Sequence, residues 1–142
     1  MPENERGIQH IFVYGSLRRV FGHPESEILA QNGTYLGEAY YSGELYEIEW
    51  YPGVIPSVDS GNRVTGDLYR IDRHPDEVLR RLDRYEGCSP EFPEPHLFKR
   101  RSAMVHLKDQ TSITAWIYLY NRSVEGMNRI DSGDYLAWKS KE

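Results

Sequence analysis

The chain has 142 residues, 17 of them Lys or Arg and 22 Asp or Glu, for a formal net charge of −5. These charges are mixed along the sequence with no basic stripe, which argues against a nucleic-acid or anionic-membrane partner. No run reaches the roughly 18 apolar residues of a membrane span, and the polar start lacks the apolar middle of a signal peptide, so a cytoplasmic protein is expected.

Taken in order, the elements are mostly strands. Residues 8–14 alternate, with Ile11 and Val13 on one face and Phe12 and Tyr14 on the other. A Gly-Ser turn follows at Gly15 and Ser16. Residues 24–31 predict a short helix, with Pro24 at its start and Glu25 and Glu27 in its first turn. Residues 34–41, 45–48 and 64–71 read as strands separated by Gly and Pro turn signals, with Trp50, Tyr51, Pro52, Gly53 and Val54 as one aromatic-rich turn. A second helix is predicted over 75–86, with Pro75, Asp76 and Glu77 at the start and Gly87 as the stop. The late hairpin pairs residues 97–107 with 112–120. In its second strand Ile113, Ala115, Ile117 and Leu119 share one face, and Thr114, Trp116, Tyr118 and Tyr120 the other. With residues 2–6 and 139–142 as polar ends, the pattern predicts one α+β domain over 1–142, its core spanning about 8–138. Its expected architecture is a mostly antiparallel, mixed sheet curling toward a barrel, flanked by helices.

The second helix carries an acid out of place. At about 100° per residue from Val78, Leu82, Leu79 and Tyr85 define one apolar stripe, and the other charged residues lie opposite. Glu86 falls at about 80°, inside the stripe. An unpaired charge aimed at a core is costly, and the helix C-terminus disfavours a carboxylate by about 0.3–1 kcal/mol. Both effects raise a carboxyl pKa, which suits a general base near neutral pH. The residues alone leave open the plainer reading, that the last turn frays and Glu86 reaches solvent or a nearby arginine.

The turn after the first strand is a second candidate. Gly15 permits backbone geometry that other residues avoid, so that the following N–H groups converge on a carboxylate or oxyanion. It has neither the spacing of a phosphate loop nor a serine-hydrolase motif around Ser16, and an ordinary turn remains the alternative. His10, His23, His74, His96 and His106 show no short metal-ligand spacing, and Cys88, alone, is expected to be a half-buried inert thiol. No metal or other cofactor is expected.

The ordered set Val13-Tyr14-Gly15-Ser16-Leu17 and Leu82-Asp83-Arg84-Tyr85-Glu86-Gly87-Cys88 resembles the two signatures of the γ-glutamylcyclotransferase-like superfamily. Gly66-Asp67-Leu68-Tyr69 and Ala115-Trp116-Ile117-Tyr118-Leu119-Tyr120 support the likeness, which is greatest to the compact γ-glutamylamine cyclotransferase branch. The resemblance implies a barrel-like sheet flanked by helices and a small-molecule γ-glutamyl substrate cyclised to 5-oxoproline. It also implies Glu86 as the catalytic acid/base, with Tyr14, Gly15, Ser16, Leu17 and Tyr118 binding substrate. A monomer or homodimer is expected. Two alternatives stand beside it: removal of a γ-glutamyl protecting group from a biosynthetic intermediate, and a non-catalytic metabolite-binding protein of the same fold.

Overall fold

A computed structural model describes residues 7–15, 17–18, 24–59 and 61–140. The order is β1 (His10–Val13), α1 (Pro24–Asn32), β2 (Gly33–Glu47), β3 (Pro52–Pro56), β4 (Arg63–Ile71), α2 (Pro75–Tyr85), β5 (Phe98–Leu107), β6 (Ser112–Tyr120), β7 (Asn128–Arg129) and α3 (Tyr135–Lys139). Strands run β2-β4-β1-β6-β5, and β5 pairs back onto β2, so five strands close a barrel. All these pairings are antiparallel except β1 with β6, where Ile11 lies opposite Trp116. The α+β, barrel-with-helices architecture expected from the sequence is what forms. No helix among the described residues is long and apolar enough to cross a membrane.

Side-chain alternation divides the core in two. Phe12, Ala39, Val64, Leu68, Val105, Ala115 and Ile117, from all five strands, form one cluster that fills the barrel. Ile11, Val13, Tyr69, Ile71, Trp116 and Tyr118 point the other way, where Ile28 and Leu29 of α1 and Val78, Leu79 and Leu82 of α2 cover them. The central strand β1 is therefore buried on both faces, and a full apolar run is what such a strand needs. Gly66 sits where a Cβ would come within 2.5 Å of the Val13 carbonyl oxygen, so only glycine lets β4 lie this close to β1.

The structure differs from the sequence reading in three places. The strands expected over 34–41 and 45–48 are one continuous strand, β2, with a bulge between Tyr35 and Gly37. The segment Pro52–Pro56 is not a turn but strand β3, and it ends the sheet path, where prolines do not interrupt a ladder on the open side. A last helix, α3, is capped by Asp134, whose carboxylate accepts the Ala137 N–H at 3.1 Å. Its five residues are too few for a helical period to be read.

Candidate active site

Helix α2 ends in a tight lock. The Gly87 N–H donates to the Arg84 carbonyl at 3.1 Å and the Cys88 N–H to the Asp83 carbonyl at 2.9 Å. This paired closure requires a left-handed residue, and Gly87 provides it at φ 72°. Glu86 is the residue immediately before that reversal, so its backbone is fixed by three hydrogen bonds, its own N–H donating to the Leu82 carbonyl at 2.9 Å. Fraying of the last turn, the plainer reading of Glu86, is not what the structure shows.

The Glu86 side chain faces a cavity of about 280 Å³. The lining includes Tyr14, Gly15 and Leu17 from the end of β1 and its turn, Trp50 and Tyr51 before β3, Pro52 at the start of β3, and Tyr118 of β6. The structure thus gathers Tyr14, Gly15, Leu17, Glu86 and Tyr118 around one space; Ser16 lies outside the described residues. Among the described residues the Glu86 carboxylate has no hydrogen-bond or ion-pair partner. Its surroundings are mostly apolar, and burial first, then the negative charge of Asp83, raise its pKa from 4.5 to about 7.

A polar network stands behind this carboxylate. Asp83 accepts from the Tyr118 hydroxyl at 2.7 Å and binds Arg100 through both oxygens, with Nε at 2.7 Å and Nη2 at 3.1 Å. The Arg100 guanidinium in turn lies 4.3 Å over the ring of Trp116. Tyr14 donates its hydroxyl to the Tyr118 carbonyl at 2.6 Å. Burial holds both phenols well above their ordinary pKa, reinforced at Tyr14 by the charge of Glu86 and at Tyr118 chiefly by Asp83, so both stay neutral. The Tyr118 hydroxyl is thus committed to Asp83, and what Tyr14 and Tyr118 offer the cavity is ring surface. Tyr120 is not in the lining; it packs on Phe98 with ring centroids 5.7 Å apart.

One expectation changes in detail, at Gly15, and the one for Cys88 holds. Gly15 does not take a left-handed backbone; glycine is favoured there because a Cβ would meet Pro52 Cγ at 3.1 Å. The turn is closed by the Arg18 N–H donating to the Gly15 carbonyl at 3.0 Å. Cys88 is half-buried, and burial with the charges of Asp83 and Glu86 pushes its thiol up to about 12, leaving it protonated and inert at neutral pH.

Sequence reasoning missed Asp83 and Arg100. The signals were present: Asp83 lies at the edge of the polar arc of α2, next to the apolar stripe, and Arg100 shares a strand face with buried Phe98. A carboxylate on a stripe boundary reads as solvated until its partner on a distant strand is known.

A strand ending in a glycine turn, a closed barrel, and an unpaired glutamate locked at a helix end thus meet around one cavity. Residues 11–137 match the family described as "Gamma-glutamyl cyclotransferase, AIG2-like", and the chain belongs to it. The Escherichia coli "Gamma-glutamylcyclotransferase family protein YtfP" is 33% identical over 128 residues, 89% of this chain and 95% of that protein. The rat "Gamma-glutamylaminecyclotransferase" is 30% identical over 69% of this chain and 64% of its own length. The solution NMR structure of ytfP from E. coli superposes with a TM-score of 0.61 at 31% identity, covering 92% of this chain and 98% of that one. A mouse AIG2-like protein, at 23% identity and a TM-score of 0.66, shares the fold over 90% of this chain and 88% of its own.

Proposed function

We propose that the protein cyclises γ-glutamyl amines or amides to 5-oxoproline and releases the free amine, with Glu86 as the base. The observation that carries this reading is the Glu86 carboxylate itself: unpartnered among the described residues, held at the cavity wall, and raised to about 7. A group that titrates there is a carboxylate often enough to accept a proton and an acid strong enough to return it. The name of the rat relative supports an amine as leaving group.

In this scheme Glu86 takes a proton from the substrate's α-ammonium. The freed nitrogen attacks the γ-carbonyl carbon, forming the new C–N bond of a five-membered lactam while the old C–N bond to the amine breaks. Glu86 passes that proton to the departing nitrogen, then takes the second proton that the attacking nitrogen sheds as it becomes the lactam N–H and hands it to the same nitrogen, so the amine leaves as its ammonium. Atoms and charge balance without water. The attack is intramolecular, so the protein's task is to hold the substrate folded. The Gly15, Ser16 and Leu17 turn would grip the α-carboxylate end, and the Tyr14 and Tyr118 rings would wall the reacting chain.

The test is an assay for 5-oxoproline by mass spectrometry over a panel of γ-glutamyl amines, γ-glutamyl dipeptides and glutathione. Glu86→Gln keeps the shape and removes the base, and turnover should fall by roughly 10²–10⁴-fold. A variant that works near the wild-type rate would overturn the assignment.

A further inference from the structure

Resting on that reading, we infer that the substituent on the leaving nitrogen is uncharged and apolar, a small alkyl or arylalkyl group seated on Trp50, Tyr51 and Phe98. The cavity lining is of two kinds. The Gly15 turn and Glu86 offer the groups that would hold the polar γ-glutamyl head, while Trp50, Tyr51, Leu97 and Phe98 offer an apolar surface for whatever departs from the γ-carbonyl.

That apolar surface is largely aromatic and held in place. Trp50 is 77% exposed, an unusual position for a large apolar side chain, and it opens directly on the cavity. It is not a loose ring. Tyr51 meets it edge-on with centroids 5.1 Å apart, Phe98 lies 5.9 Å from Tyr51, and Tyr120 backs Phe98. The Trp50 carbonyl accepts the Tyr135 hydroxyl at 3.3 Å, and the Ile48 N–H donates to the Tyr51 carbonyl at 3.1 Å, so the turn that carries both rings is tied down. A surface already ordered before binding loses little freedom when an apolar group covers it.

Charge points the same way. Among the described residues the lining contains one carboxylate, Glu86, and no Lys, Arg or His. Just outside, Glu49 and Arg122 act on the Tyr51 hydroxyl in opposite directions, so the mouth has no single-signed field. Among the described lining residues a carboxylate on the leaving group, as in glycine, would meet no cation and a second ammonium no carboxylate besides Glu86, whereas an alkyl or aryl group would cover the aromatic rings. The cavity volume of about 280 Å³ lies at the lower end of small-molecule sites, about 300–1,000 Å³, which favours a compact amine.

The experiment compares kcat/KM for γ-glutamyl-n-butylamide and γ-glutamylbenzylamide with γ-glutamylglycine and the mono-γ-glutamyl amide of 1,4-diaminobutane. The apolar amides should lead by about tenfold or more, from burial of the alkyl or aryl group. Trp50→Ala and Tyr51→Ala should compress that ratio toward one. As a readout without turnover, the butylamide should raise the Tm of Glu86→Gln more than γ-glutamylglycine does. Preference for the charged leaving groups, or a ratio untouched by both variants, overturns this inference and leaves the ring-closure reading standing. Absence of 5-oxoproline from every substrate overturns the ring-closure reading, and the inference with it.

Discussion

Two charged side chains of this small protein, Arg18 and Glu86, are treated in opposite ways. Arg18, 2% exposed, is met by carboxylates on three sides: Glu38 at 3.1 Å, Asp134 at 3.2 Å and Asp67 at 3.4 Å. Glu86 is enclosed by the cavity wall and met by none among the described residues. The first arrangement ties the turn after β1 to β2, to β4 and to the cap of α3, and it has the form of a structural ion cluster. The second destabilises the fold, and such a charge persists where it acts on something else. Partnership, more than burial, separates a charge that holds the molecule together from one available for chemistry.

The largest effect that could break this contrast is at Arg18. Arg18→Met keeps bulk but removes the cation beside Asp67, itself 3% exposed and still met by the Tyr35 hydroxyl at 3.4 Å. Removing one partner of a buried charge set costs about 3–5 kcal/mol. Urea unfolding should show a loss of that order, and a loss below about 1 kcal/mol would mean the cluster is no more structural than a surface pair.

Glu86 should answer with the opposite sign. Its folded-state pKa, about 7, lies above the 4.5 of an unperturbed glutamate, so between those values the folded chain binds more protons than the unfolded one. Stability from this group is then fully present below about pH 4.5 and falls as pH rises toward 7. The ionised form costs up to roughly 3 kcal/mol, less whatever solvent entering through the cavity screens. Glu86→Gln carries no such penalty. Its Tm should match wild type near pH 4 and exceed it by a few degrees at pH 8, while turnover collapses. Equal stability at both pH values would remove the contrast from its Glu86 side.

How far these two sites could be read from sequence follows from how local their causes are. The face assignments of β1 and β6 hold residue by residue, because a period of two needs only neighbours in the chain. Glu86 was legible for the same reason, as a charge inside an apolar helical stripe closed by Gly87. Arg18 was not: its carboxylates come from positions 38, 67 and 134, and only the barrel brings them together. Asp83 sits between these cases, local in its helical angle but distant in its partner Arg100. The turn at Gly15 was recognised while its physical reason was misplaced, since the contact with Pro52 depends on how β3 is seated.

The finest test concerns that intermediate residue. Asp83 does not face the cavity, yet its charge is the second cause, after burial, of the raised Glu86 pKa. The remaining groups that bear on Glu86 are the Tyr14 and Tyr118 phenols and the Cys88 thiol, all neutral, while Arg100 lies against Asp83 itself. Asp83→Asn removes the negative charge and leaves the arginine, so the Glu86 pKa must move down. Burial remains, so it stays above the ordinary carboxylate range. A downward move of about one unit, to about 6, is the expected size for a like charge partly offset by its own partner. Activity that requires ionised Glu86 is then retained further into acid. At pH 6, the rate relative to each enzyme's own alkaline plateau should be about fivefold higher in the variant. A merely structural Asp83 would lower the plateau and leave the midpoint where it was. An acid limb that stays near 7 or climbs would show that burial alone sets the Glu86 proton affinity, and that the network behind it serves packing.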